Sequence, residues 1–383
     1  MNLALVTHNV IPGDGQGRVN MELTRYLLDR DVEVTLIANQ VDDTLLNRGA
    51  EWIQIDTGAL GEKVDLIKVW RFKRKADRLV RHIGDRFDAI LACGVVCSVP
   101  HTINAVHFAH GQWLHSPYHS SRMTNGLNRA YQWLFTWINA RWELQTLRNA
   151  ERVVAVSDMV RDELVSCGLA EDTIEVIVNG VDLDTFAPGP ADRPALGLPA
   201  NVPLGLFVGD IESPIKNIDG VLRGLAEVSG IHLAVAGALD HSPYPELARD
   251  LGVDDRVHFL GFRQDIPELM RAADFFTLPS RRDSCPLVLL EALASGLPVI
   301  TSTGVGTANL ITDDTGFVMQ GPDDFDTLTH GLQTLAYDDD QRAAMSRAAR
   351  RTAEQHGWDD MSERYFQLVQ EMTMTTPEPT TLK

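Results

Sequence analysis

The run DFFTLPSRRDSCPLVLLEALASGLPVITS, positions 274 to 302, constrains this chain more than any other stretch. Asp274 to Leu278 reads as a buried apolar strand leading into a polar loop. Leu287 to Ser295 then has helical spacing and stops at Gly296, with Pro298 just beyond and a second apolar run behind it. In an open parallel sheet this order puts the loop at the carboxyl ends of the strands, where ligands bind. The helix N-terminus points its free N–H groups at the same place, which suits an anion.

Two carboxylates frame the loop, Asp283 before the helix and Glu291 within it. A carboxylate accepts two parallel hydrogen bonds, so Glu291 suits the vicinal diol of a ribose while the amides of Leu287 and Val288, just after Pro286, suit a phosphate. Asp283, nearer the mouth, is placed for the hydroxyls of a transferred sugar. The plainer alternative makes Asp283 part of a helix cap and Glu291 an exposed helix carboxylate.

This run resembles the carboxylate-x7-Glu signature of retaining glycosyltransferases of family 4, with Asp283 where the family usually has Glu. The resemblance implies the GT-B fold: an α/β protein with two Rossmann-like doubly wound domains facing across a cleft and a C-terminal helix crossing back to the first. It also implies a nucleotide diphosphate sugar as donor, no metal and no other cofactor.

Composition agrees with a soluble globular protein. The chain has 383 residues, enough for two ordinary domains, with 44% hydrophobic and 23% charged residues. A net charge of -19 disfavours nucleic acid as a partner. The start, MNLALVTHNVIPGDG, lacks the basic segment and long apolar run of a signal peptide, so a cytoplasmic location is expected. Cys93, Cys97, Cys167 and Cys285 do not form a disulfide framework or a metal pattern and are expected to be reduced and mostly buried.

Along the chain, strand Leu3 to Thr7, the loop Pro12-Gly-Asp-Gly-Gln-Gly17, a helix from Arg18 and strand Val32 to Ala38 open a doubly wound domain. The spacing differs from the Gly-x-Gly-x-x-Gly dinucleotide fingerprint. The family comparison puts Gly15, Gly17 and Arg18 across from the donor phosphates. Lys63 to His82 is basic and helical. Its Lys68 to Arg81 part, with Trp70 and Phe72, either docks on an anionic membrane or packs on the sheet with a solvated basic face. Ala105 to Ala109 reads as a strand ending at His110, and the family commonly has a sugar-contacting histidine there; His107 is expected to point into or across the sheet. The aromatic helix 125 to 149, with Trp133 and Trp137 on one face, suggests core packing or an acceptor channel.

The first domain is expected over 1–187, a Pro/Gly/Ala linker over 188–203, the donor domain over 204–356, the returning helix over 357–372 and a disordered tail over 373–383. In the second domain Gly209 opens the turn after strand Leu204 to Val208, and Lys216 precedes a helix, where it offsets diphosphate charge. The family usually continues that strand with Gly-Arg, and this chain has Gly209-Asp210. Either the donor is held more weakly, or Arg281, Arg282, Arg263 or Arg18 supplies the charge. Gly261, Phe262 and Arg263 are candidates for base contacts. Asp182-Leu-Asp184 has a metal-site spacing but lies in a turn and is read as accidental.

The expected activity is transfer of a sugar, with retention, from a nucleotide diphosphate sugar to a saccharide or lipid-linked acceptor. His110, Asp283 and Lys216 would be catalytic, on a protein peripheral to the inner face of the membrane. A nucleotide-sugar epimerase of the same fold, or a non-catalytic relative, is the alternative.

Overall fold

The structure, a computed structural model, describes residues 1–375. The chain divides into two units, one of Met1–Asn179 together with the chain from Trp358, the other Gly180–Gly357.

The first unit is built on seven parallel strands in the spatial order Glu51–Gln54, Glu33–Ala38, Asn2–Val6, Ala89–Cys93, His101–Val106, Ala150–Ala155, Ile174–Val176. In register, Leu5 pairs with Leu36 on one side and Leu91 on the other. Near-continuous apolar runs make these strands because helices cover both faces of a parallel sheet. A short helix, Gly58–Lys63, precedes a second, Asp65–Ile83, which the basic stretch forms. The second sets Phe72, Ala76 and Val80 into the core with Val6, Ile37 and Ala92. Phe72 is fully buried and is therefore removed from any membrane-facing role, which leaves Trp70 exposed beside Arg74. Several basic groups are used internally: Arg71 donates to the Thr57 carbonyl at 2.9 Å, and Lys73 pairs with Asp77 at 3.8 Å.

The last helix, Trp358–Thr375, belongs to this unit. Tyr365, Leu368 and Val369 are buried, and Glu363 receives the Tyr26 hydroxyl and pairs with Arg30. The helix continues past Met372, the expected end, to Thr375; the rest of the expected tail, 376–383, lies outside the described residues.

The second unit has six parallel strands in the order Val257–Gly261, His232–Ala236, Leu204–Val208, Phe275–Leu278, Val299–Ser302, Gly316–Met319. Numbered along the chain within each unit, both sheets begin 3-2-1-4-5-6, the doubly wound order, so strand direction of travel reverses beside the first strand of each. In the second unit that switch point lies between Leu204–Val208 and Phe275–Leu278. In the first it lies between Asn2–Val6 and Ala89–Cys93.

The stretch 180–203 packs on the second unit, so the division falls at Asn179/Gly180, ahead of the expected 187/188. Val181 bridges to Gly357. Arg193, beside the Pro194–Leu196 turn, pairs with Asp274 at 2.9 Å and donates to the Ala272 and Val202 carbonyls. Arg350 donates to the carbonyls of Leu183, Phe186 and Ala294 at 3.2, 3.0 and 2.8 Å. All four cysteines are free thiols, Cys93 and Cys97 buried and the other two half-buried. Among the described residues no helix is long and apolar enough to cross a membrane.

Arg350→Ala leaves those carbonyls without their cationic donor. Charge-assisted hydrogen bonds of this kind are worth about 1.5–3 kcal/mol. Chemical denaturation should show a loss of that order in the second unit's transition, and a change below about 0.5 kcal/mol, the size of an ordinary surface substitution, would contradict the anchoring role.

Candidate active site

Two loops leave the second sheet on either side of its switch point. The first follows Val208. Gly209 donates to the Ala236 carbonyl at 3.0 Å and leaves room for the Lys216 stem, which a Cβ there would touch at 3.6 Å. Asp210 turns its carboxylate back on its own loop, accepting from the Glu212 amide at 2.8 Å and the Ser213 hydroxyl at 2.7 Å. The loop then makes a tight turn, Pro214–Lys216, and Asn217 takes a left-handed conformation, φ 61°, to start helix Ile218–Glu227. Asn217 is fully buried; its amide donates to the Pro322 carbonyl at 3.0 Å and its Oδ1 has no protein partner.

The second loop follows Leu278 and is fastened to the first. The Arg281 amide donates to the Ile215 carbonyl at 2.8 Å, and its guanidinium takes Asp219 bidentately at 2.8 and 2.6 Å while also reaching the Pro214 carbonyl. A third loop clamps Asp283: its amide donates to Gly304 O at 2.9 Å and its carbonyl accepts from the Gly306 amide at 2.7 Å. Gly304 must be glycine, because a Cβ would sit 2.5 Å from the Ser280 carbonyl. With its backbone held on both sides, Asp283 directs its carboxylate at Lys216, and the two form an ion pair in which both side chains are mostly buried.

The helix Leu287–Ala294 starts on Pro286, whose side chain supplies no cap, so the amides of Leu287 and Val288 lie at an uncapped N-terminus. Glu291 is half-buried one turn further on. At the sheet edge Gly261 has a positive φ of 71° and accepts from the Gly237 amide at 3.0 Å, and Phe262 beyond it is 76% exposed. Arg263 is committed to Asp265, Arg281 to Asp219, and Arg18 to Glu22 at 2.6 Å, so these three are not spare cations for a diphosphate. Asp182 accepts from the Asp184 and Thr185 amides, capping its turn.

The structure adds residues that nothing in the sequence singles out. Asn217 is one, and the buried hydroxyls of Ser280 and Thr307, which have no protein partner among the described residues, are two more. A lone Asn ahead of a helix or a serine in a loop is too common to stand out; only the burial marks them.

In the first unit Gly15 and Gly17 are the first and third residues of helix Gly15–Leu28, which therefore starts three residues earlier than expected. Gly15 is exposed with nothing near its Cβ position. Gly17 is buried and would clash with the Ile11 carbonyl at 2.9 Å, so its smallness serves packing.

The strand before the histidines ends at Val106. His110 is accordingly the first residue of a short helix, His110–His115, rather than a strand end, and its amide donates to the buried Glu143 carboxylate at 3.2 Å. His107 directly follows the strand and does not bury itself in the sheet's hydrogen bonding: its Nε2 has no partner, and Asp14 of the glycine loop lies near enough to raise its basicity. His8, after the first strand, packs 4.4 Å from Phe72 and feels the same Asp14.

Burial is the main force pushing His8, His107 and His110 down to about 4; for His8, Lys68 adds to it, while Asn39 and Asp14 oppose it. The unfolded chain, with histidines near 6.5, then binds protons that the folded one refuses. Stability contributed by these groups is present above about pH 6.5 and falls on the way to pH 4, by about 1.4 kcal/mol per pH unit per histidine. Relief of the net charge of -19 on acidification works the other way, so the comparison is internal. Thermal unfolding of His107→Asn should lose less stability between pH 7 and pH 5 than the parent; parallel curves would contradict a buried neutral His107.

Comparison with known proteins follows the same division. A family model described as Glycosyltransferase Family 4 matches residues 13–185, and one described as Glycosyl transferases group 1 matches residues 202–338. The D-inositol 3-phosphate glycosyltransferase of Mycolicibacterium smegmatis is 34% identical over 233 residues, covering 58% of this chain and 53% of that protein. This chain thus spans about half the length of the curated relatives it matches. Among solved structures, sucrose-phosphate synthase from Thermosynechococcus elongatus superposes with a TM-score of 0.76 at 18% identity, covering 98% of this chain and 100% of that one. Anabaena HepE in complex with UDP-glucose does so with 0.71 at 19%, covering 97% and 100%. These likenesses show the GT-B fold. The paired family matches, one to each half, show that the chain belongs to the group 1 glycosyltransferases of family 4.

Proposed function

We propose that this protein transfers a sugar from a nucleotide diphosphate sugar to a hydroxyl of a saccharide or lipid-linked acceptor, with retention and without a metal. The observation that carries the reading is the meeting of Lys216 and Asp283 at the second unit's switch point, beside the uncapped start of helix Leu287–Ala294. Negative charge builds on the diphosphate as the glycosidic bond to it breaks. Lys216 and the amides of Leu287 and Val288 are suited to stabilise that charge. Asp283 is then placed for the sugar hydroxyls, and Glu291 suits the ribose diol. Phe262 offers an exposed ring, and Gly261 a backbone, to the base. The acceptor hydroxyl attacks from the face the diphosphate leaves and passes its proton to the departing diphosphate oxygen, with His110 as a sugar contact held neutral at working pH. Asp210, where the family usually has arginine, hydrogen-bonds within its own turn.

HepE was solved with UDP-glucose, so a donor screen begins there, reading release of nucleoside diphosphate with and without saccharide acceptors. Isomerisation of the donor without acceptor would instead point to an epimerase.

Lys216→Ala and Glu291→Ala should each weaken nucleoside diphosphate binding by about 1.5–3 kcal/mol, the worth of a charge-assisted contact; Lys216→Ala should also cost stability, because it leaves the mostly buried Asp283 carboxylate unpaired. Calorimetric titration with UDP and GDP measures this, and undiminished affinity in both variants would remove the donor site from this loop. Run in EDTA, the reaction should continue at full rate and give a product whose anomeric configuration, by NMR, is that of the donor. An inverted centre, or activity restored only by magnesium or manganese, would overturn the proposed chemistry.

A further inference from the structure

Between Asp88 and Glu143 the sequence has no aspartate or glutamate, although the whole chain carries 53. The later part of that stretch forms helices Ser120–Met123 and Gly126–Leu147. The long helix is anchored by its C-terminal half, where Thr136, Asn139, Glu143, Thr146 and Leu147 are buried. Its first turns are exposed. Every residue from Gly126 to Ala130 is exposed, with Leu127 at 91%, and Trp133, Leu134 and Met123 are exposed by 48, 42 and 39%. Core packing, expected for the aromatic residues here, does not describe these turns.

Single exposed leucines need no explanation, but clustered apolar side chains on one projecting element mark an interaction surface. The chemistry of the cluster says what kind. Trp133 stacks on Trp137 with centroids 6.0 Å apart, and the Arg141 guanidinium lies 4.0 Å above the Trp137 ring. Arg122 and Arg129 flank Trp133 around a hollow of about 450 Å³. Tryptophan, leucine and arginine in a stretch of chain without acids is the composition of a surface that sits at a lipid headgroup layer, rings at the interface and guanidiniums on the phosphates. On a protein of net charge -19 the lack of acidic residues here is what lets an anionic surface approach.

We propose that Met123 and the exposed half of helix Gly126–Leu147 dock the first unit on an anionic bilayer. This rests on the exposed face alone and not on the transfer reaction, though it would bring a lipid-linked acceptor to the protein. The other candidate, the Asp65–Ile83 helix, has Phe72 in the core and offers Trp70 as its exposed aromatic ring.

The full chain is tested by co-sedimentation with vesicles containing phosphatidylglycerol and with vesicles of phosphatidylcholine alone, at low salt. Binding is expected to the first only, with tryptophan emission shifted to the blue. Leu127→Asp and Trp133→Ala, both at exposed positions, should each weaken it by about tenfold or more, as loss of an inserted apolar side chain requires. Arg122→Glu with Arg129→Glu should do the same, and Arg78→Glu with Arg81→Glu should leave it unchanged. No binding by the parent, equal binding to both vesicles, or loss with the Arg78/Arg81 pair while Leu127→Asp binds normally would each overturn the proposal. So would a dimer in solution that Leu127→Asp dissociates, which would make a second copy the occupant. Donor binding by calorimetry is unaffected in every case and tests the transfer reading separately.

Discussion

The bidentate contact of Arg281 with Asp219 is what makes a site out of two separate loops. One loop comes from the strand Leu204–Val208, the other from Phe275–Leu278, and only their carboxyl ends are fixed by the sheet. Arg281 holds Asp219 through two nitrogens and takes the Pro214 carbonyl as well, with 11% of its side chain exposed. A planar fork in low-dielectric surroundings sets both distance and angle, which a lysine could not do. Lys216 is two residues beyond Pro214 and Asp283 two beyond Arg281. Their meeting follows from the staple.

Two departures from the family pattern then belong together. Asp283 is a methylene shorter than the usual Glu, and Gly209 is followed by Asp210 instead of arginine. With Asp210 folded onto Glu212 and Ser213, the loop gains an internal cap where the family has a cation. Lys216 is left as the cation that this loop presents, and the shorter Asp283 reaches it.

Much of this was legible in sequence, and the parts that were not have physical reasons. Strand, loop and helix order gave both doubly wound sheets, because apolar runs separated by helical spacing admit few alternatives in a parallel sheet. The placement of Lys216 near Asp283 was not legible: it depends on a contact between residues 62 apart in the chain, Arg281 and Asp219. Boundaries failed where a short-range rule met a long-range one. Ala105 to Ala109 looks like strand, yet the buried Glu143 carboxylate receives the amides of His110 and Gly111 and starts a helix there. The composition of 188–203 suggested a free linker, but Arg193 and Arg350 fasten the segment around it to the second unit. Charge counting likewise gave the basic helix Asp65–Ile83 too much weight, since it could not show that Lys73 and Arg71 face inward partners.

The net charge of -19 gives these local arrangements their consequence. In the second unit, Arg281 and Arg263 are neutralised by Asp219 and Asp265. Lys216 is itself paired, and separating a mostly buried pair without replacing either partner leaves a costly uncompensated charge. In the proposed reaction the diphosphate is the replacement: it takes the ammonium from Asp283, and the sugar hydroxyls take the carboxylate. A ligand offering only one of the two would leave the other charge stranded. On this argument the pair discriminates in favour of a whole nucleotide sugar over a bare diphosphate or a free sugar, and it does so with two side chains whose positions are set by Arg281.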